Sequence, residues 1–186
     1  MQVTLFLAIR LRLMVLFFLY PIVSACASAS PDTYQQALQH YERKEYSQAL
    51  PLLQKLVASR DDRAMVLLAQ MYRFGEGVGT NSTQARELVA KAADLGNSQA
   101  QFLFAGYFLG GRGFEQDFAK AFEWNMKAAS QGHKLAQLAV GQALLSGIGT
   151  EVNVCLARTW LSKASIQGDA TAKHLLAEAE KTSCKQ

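Results

Sequence analysis

The stretch Ala100–Gly132, AQFLFAGYFLGGRGFEQDFAKAFEWNMKAASQG, decides the fold. Displaced by 36 residues in either direction, it falls on Ala64–Gly96 and on Ala136–Gly168. The landmarks stay in phase: Ala64, Ala100, Ala136 and Ala172; Gly75, Gly111 and Gly147; Gly77, Gly113 and Gly149; Ala85, Ala121 and Ala157; Lys91, Lys127 and Lys163; Gly96, Gly132 and Gly168. A fixed period of this size marks stacked supersecondary units, each burying its apolar face only against its neighbours. The expected fold is therefore all-α, an α/α superhelical solenoid of antiparallel helix pairs.

Within each period the parts follow from local chemistry. A first helix (helix A) starts near Ala64, Ala100 or Ala136 and carries a large residue eight positions on, at Tyr72, Phe108 or Leu144. Gly75-Glu76-Gly77, Gly111-Arg112-Gly113 and Gly147-Ile148-Gly149 stop it, since glycine takes the left-handed backbone at low cost. Asn81, Asp117 and Asn153 then cap a second helix (helix B) by accepting from its orphan amides. On that helix Ala85/Ala121/Ala157, Leu88/Trp124/Trp160 and Ala92/Ala128/Ala164 share a face. Alternating small and large residues lets neighbouring helices interdigitate. Glu87 and Glu123 stand four residues before Lys91 and Lys127, the spacing of a favourable helix pair.

The ends of the array differ. Tyr34, Ala37, Leu38 and Tyr41 make one amphipathic face, and Tyr46, Ala49, Leu50, Leu53, Leu56 and Val57 a second, with a break at residues 43–45. Pro51 predicts a kink or a late start in that second helix. A last helix, 170–182, has a wetter face at His174, Glu178, Glu180 and Lys181, as a terminal cap requires.

Composition excludes little but redirects attention. Half the residues are apolar and the formal charge is +4, of which Arg10 and Arg12 supply two positive charges. No basic run interleaved with aromatics is present, so the pI near 9.0 is no argument for nucleic acid. Residues 1–30 carry Arg10 and Arg12, then an apolar run Leu13–Val23, then small residues, the plan of an export signal. Val23-Ser24-Ala25-Cys26 resembles the bacterial lipobox, in which the cysteine is lipidated and becomes the first mature residue. Cleavage at Ala25-Cys26-Ala27 or Ala27-Ser28-Ala29 would instead give a soluble exported protein. The expected organisation is a signal peptide over 1–25, a tether over 26–32, a helical hairpin over 33–62, repeats over 63–97, 98–133 and 134–169, and a capping helix over 170–186.

A helical pair of this length, with A-x-x-x-L-x-x-x-Y, G-x-G and A-x-x-W-x-x-K-A-A-x-x-G at Ala64 to Gly168, resembles the Sel-1-like repeat family, whose relatives are tetratricopeptide-like solenoids. The first full repeat departs from the pattern at Leu88 and the third at Leu144 and Ser165. The hairpin over 33–62 resembles a tetratricopeptide unit. The resemblance implies a non-catalytic scaffold or adaptor that binds a protein or peptide along the concave helix-A face. Gln70, Arg73, Gln101, Tyr107, Gln137 and Gln142 are the expected groove residues. Tyr107 stands out, because Met71 and Ala143 hold the equivalent slots and packing does not fix the type there.

No chemistry competes with that reading. His40, His133 and His174 form no metal-ligand spacing, so neither a metal nor a cofactor is expected. The glycine pairs lack a phosphate-loop spacing and follow helices. Cys155 lies 13 residues before Gly168 and Cys184 lies 16 after it, so antiparallel helices would bring them to one end. A disulfide there would contribute roughly 3 kcal/mol in the chain-entropy model, and two free thiols are the alternative. The expected setting is the periplasm, or the outer membrane through a lipid on Cys26. An immunity or inhibitor protein for an exported enzyme is the alternative function. Some secreted cysteine-rich relatives are described as penicillin-binding or β-lactamase-like, but this chain lacks their cysteine pair in every repeat and has no S-x-x-K after the leader.

Overall fold

The computed structural model describes residues 32–182. The proposed signal and the tether as far as residue 31, Cys26 included, lie outside them, as does Cys184. Among the described residues there are nine helices and no strand. The opening hairpin is α1 (Thr33–Glu42) and α2 (Tyr46–Ala58). Three helix pairs follow: α3 (Asp62–Phe74) with α4 (Ser82–Asp94), α5 (Ser98–Gly110) with α6 (Phe118–Ser130), and α7 (Lys134–Ser146) with α8 (Val154–Ile166). The last helix, α9, spans Ala170–Glu180. Each helix packs on the next in sequence, which makes the array an α-solenoid.

Both ends of each repeated helix have a chemical cause. Asn81, Asp117 and Asn153 accept from the backbone N–H groups of Gln84, Lys120 and Leu156 at 3.0, 2.9 and 2.9 Å. Asp61, Asn97, His133 and Asp169 do the same for α3, α5, α7 and α9. Helix A ends where Gly75, Gly111 and Gly147 turn left-handed, at φ of 73°, 60° and 75°. The second glycine of each loop has a further reason. A Cβ on Gly149 would collide with the backbone of Phe118, the first residue of α6 in the preceding repeat. A Cβ on Gly77 would strike the Tyr46 Cβ of α2, whereas one on Gly113 would meet only the movable end of the Arg86 side chain of α4.

The core is a string of apolar clusters along the array. Its backbone is alanine: Ala64, Ala100, Ala136 and Ala172, with Ala121 and Ala157, are fully buried. The second repeat adds an aromatic cluster. Phe104 meets Trp124 at 5.1 Å and 70°, Phe108 at 5.1 Å and Phe114 at 5.4 Å, the edge-on arrangements that ring quadrupoles favour.

Two expectations need correction. Pro51 does not delay α2, which begins at Tyr46 and runs through it. Pro51 lies beyond the first-turn orphan N–H groups, so it deletes one backbone bond, the one that would run to Ser47 O, without ending the helix. Lys127 does not pair with Glu123; its Nζ lies 3.6 Å from the centroid of the Trp124 ring, and Lys163 lies 4.3 Å from that of Trp160. The ring offers the ammonium a fixed, partly dry partner three residues away, whereas the glutamate is solvated.

Ala121→Leu is expected to destabilise the protein by roughly 1–3 kcal/mol through overpacking. Urea unfolding would measure it, and an unchanged midpoint would mean that the helix spacing yields to the larger side chain.

Candidate functional site

Helix A of three successive repeats lines one cleft. Arg73 comes from α3, Phe102, Leu103, Gly106 and Tyr107 from α5, and Leu135, Leu138, Ala139 and Gln142 from α7. Asn125 of α6 and Arg112 of the second glycine loop complete it. The volume is about 360 Å³. A smaller hollow beside it, about 190 Å³, is lined by Arg73, Arg86, Tyr107 and Arg112. Past Asn125 the surface continues along Leu109, Phe118 and Ile148, all exposed apolar side chains.

The structure brings Arg73, Tyr107 and Gln142 together in this cleft. Gln70 is half-buried one repeat earlier and does not line it. Gln101 and Gln137 are not groove residues, and here the sequence expectation is corrected. They are 5% and 4% exposed. Gln101 Nε2 donates to Ala93 O at 3.3 Å, and its Oε1 accepts from Gln131 Nε2 at 2.8 Å. One period on, Gln137 donates to Ala129 O at 3.2 Å and accepts from Gln167 at 2.8 Å. Each thus adds a second donor to a carbonyl at the end of the preceding helix B, one that already accepts from Gly96 or Gly132 N–H at 3.0 Å, and ties two repeats together. Met65 holds the equivalent slot at the first junction and is buried as well.

Electrostatics single out the second repeat. Arg73, Arg86 and Arg112 surround Tyr107, and among the described residues none of the three forms an ion pair. Arg73 lies over the Phe74 ring at 5.1 Å, and Arg86 donates to Thr83 Oγ1 at 3.2 Å. Tyr107 packs its ring at 6.5 Å from Phe104 and 6.4 Å from Phe114. Burial raises its hydroxyl above the ordinary range, against the opposing pull of Arg73 and Arg86.

Asn125 is a residue that the reading of the sequence missed. It is 5% exposed, and its Oδ1 has no hydrogen-bond partner in the protein. The same slot holds Val89 and Leu161, which are 2% and 0% exposed. A buried amide oxygen left unpartnered costs roughly 1–3 kcal/mol, which an aliphatic side chain would avoid. Gly106 is the second exception, since Gln70 and Gln142 hold its slot and a Cβ there would meet nothing within 4 Å. Both signals lay in the period: each is the member of its column that breaks the type.

Among the described residues no group of three or more His, Cys, Asp or Glu side chains gathers to hold a metal. No described helix is long and apolar enough to cross a membrane.

The fold defines a helical-repeat solenoid with a cleft lined by its A helices. The family model for the Sel1 repeat matches residues 62–97, 98–133 and 134–169, and the chain belongs to that family. Sel1-repeat proteins are generally protein-interaction scaffolds, a family of non-enzymatic repeats. A Sel1 repeat protein from Oxalobacter formigenes is 31% identical, with a TM-score of 0.72 over 76% of this chain and 58% of its own. A protective antigen of uropathogenic Escherichia coli strains, displaying an SLR fold, is also 31% identical, with a TM-score of 0.68 over 81% of this chain and 34% of its own. The chain thus spans less than two thirds of either relative. Cysteine-rich protein B of Helicobacter pylori shares the fold, at 20% identity and a TM-score of 0.52 over 67% of this chain and 94% of its own. Comparison with curated proteins finds no match.

One capping residue makes stability depend on pH. His133 Nδ1 accepts from the Ala136 N–H at 3.2 Å, and Nε2 lies 2.9 Å from Gln99 Oε1. That geometry needs the neutral imidazole protonated on Nε2. Burial holds its pKa below the ordinary 6.5. The unfolded chain therefore takes up the proton first, and stability falls as pH drops through about 6.5 toward the lower folded value. His133→Asn, which restores the residue of the Asn97 slot, should flatten the loss of unfolding free energy between about pH 7.5 and 5.5. An unchanged slope in urea titrations would show that the cap does not titrate.

Proposed function

We propose that this protein is a non-catalytic adaptor of the bacterial cell envelope that binds a protein or peptide along its helix-A face. The observation that carries the reading is the cleft itself: three consecutive A helices converge on an apolar trough, and three arginines without carboxylate partners stand at one end. Tyrosine and arginine are the residue types that carry most interface energy, and Tyr107 and Arg73 lie side by side there. Among the described residues that line the cleft there is no carboxylate.

Export is part of the proposal. The leader over 1–25 and the lipobox-like Cys26 would place the array in the periplasm or anchor it to the outer membrane by a lipid. The Cys155–Cys184 disulfide would staple the last helix in that oxidising setting. The Arg158 guanidinium supports this, donating to Ala179 O at 3.0 and 2.6 Å and to Thr182 O. The end of α9 therefore lies against the first turns of α8; in sequence Cys155 precedes Arg158 by three residues and Cys184 follows Thr182 by two.

Two measurements test this reading. Crosslinking from membranes should capture a partner with the wild-type chain and lose it with Tyr107→Ala, Arg73→Ala; a partner retained by the double variant removes the helix-A face from the proposal. Intact mass of the mature protein should show diacylglycerol on Cys26, and two alkylatable thiols that appear only after reduction. A mass without lipid, or thiols that react before reduction, would withdraw the anchor or the staple respectively.

A further inference from the structure

The second repeat departs from its copies at two places that meet in one cleft. Gly106 removes the side chain that Gln70 and Gln142 supply in the other repeats, and opens space between α5 and α7. Asn125 places an amide on the wall of that space where Val89 and Leu161 close it elsewhere. Stacking explains neither. Val89 and Leu161 are fully packed, so the column is built for an aliphatic residue, and glycine in a helix interior weakens the helix. Two stability-losing exceptions converge on one cavity, and the Asn125 side chain that lines it keeps an unpartnered amide oxygen buried beside it.

We propose that this cleft is the specificity pocket of the binding face and takes a tryptophan side chain from an acidic segment of the partner. The proposal deepens the adaptor reading and rests on it. The walls are apolar, from Phe102, Leu103, Leu135 and Leu138, and the volume of about 360 Å³ accommodates a two-ring side chain. Beside the cleft lies an amide oxygen in want of a donor. Indole joins a large apolar body to an N–H that donates and never accepts. The Asn125 amide turns about χ2, a broad torsion, so its oxygen can be brought to face the cleft. At the mouth Arg73 and Arg112 lack ion-pair partners, with Arg86 beside them. They select carboxylates in the flanking sequence and repel a lysine or arginine tip.

Fluorescence polarisation with labelled synthetic peptides tests this on the mature chain. The probe carries one tryptophan flanked by aspartates, and its control carries phenylalanine instead. Wild-type protein should prefer the tryptophan peptide by about tenfold, the ratio that one net hydrogen bond carries, and added salt should weaken both. Asn125→Leu should fold at least as stably and abolish the preference. Gly106→Gln should raise Tm and lose both peptides, since it fills the cleft without disturbing a contact. Arg112→Ala should lower affinity and reduce the salt dependence while keeping the preference. The proposal is overturned if wild type fails to bind the tryptophan peptide, binds the phenylalanine peptide equally well, or if Asn125→Leu keeps the discrimination. Should those failures occur while Tyr107→Ala, Arg73→Ala still releases a crosslinked partner, the adaptor reading survives and the pocket does not. A crosslinked partner indifferent to that double variant sinks both.

Discussion

Close approach of helices across buried alanine is the constraint on which the rest of this structure depends. Ala64, Ala100, Ala136 and Ala172 recur at one place on every A helix, and Ala85, Ala121 and Ala157 on every B helix, with next to no surface left. A methyl group at the contact sets how near two helix axes can come, and the neighbouring large residue fills what remains. Because a single pair would leave half its apolar face in water, the unit is stable only in a stack. Glycine loops, caps and inter-repeat glutamine bonds then hold one spacing that alanine has already fixed.

Much of this was legible in the sequence because the chain states each rule several times. The glycines, the Asn81/Asp117/Asn153 caps and the alanine columns recur at a fixed interval, so coincidence is excluded without an alignment. The site was harder to read. Gln101 and Gln137 look like surface residues because glutamine usually is, but the carbonyl at the end of the preceding B helix has room for a second donor, and the long amide reaches it. Lys127 was misread for a related reason: spacing on a helix gives two candidate partners, Glu123 and Trp124, and does not say which is drier. Asn125 was visible all along as the odd member of a column with Val89 and Leu161. Its meaning, an amide oxygen buried without a donor beside a cleft, needed three dimensions.

Function in such an array is written as departures from the repeat. Positions that obey the period are spent on stacking, so whatever is particular to this chain must lie where the columns break. The second repeat concentrates those breaks. Tyr107 replaces the Met71 and Ala143 of its column, Gly106 replaces glutamine, and Asn125 replaces an aliphatic residue. Arg112 stands where the first repeat has Glu76, whose carboxylate is occupied by Tyr41 at 2.7 Å and Tyr46 at 3.4 Å. The same loop position thus anchors the opening hairpin in one repeat and presents an unpaired cation in the next.

The second glycine of each loop has a consequence for how the chain comes together. Gly77, Gly113 and Gly149 all press on the helix that precedes them in sequence, at Tyr46, Arg86 and Phe118, never on one that follows. The surface each loop docks on is therefore made earlier in the chain than the loop itself. A polypeptide that emerges amino end first always finds its template ready and need not wait for residues still to come. Ordered, one-way growth is built into the spacing of the glycines.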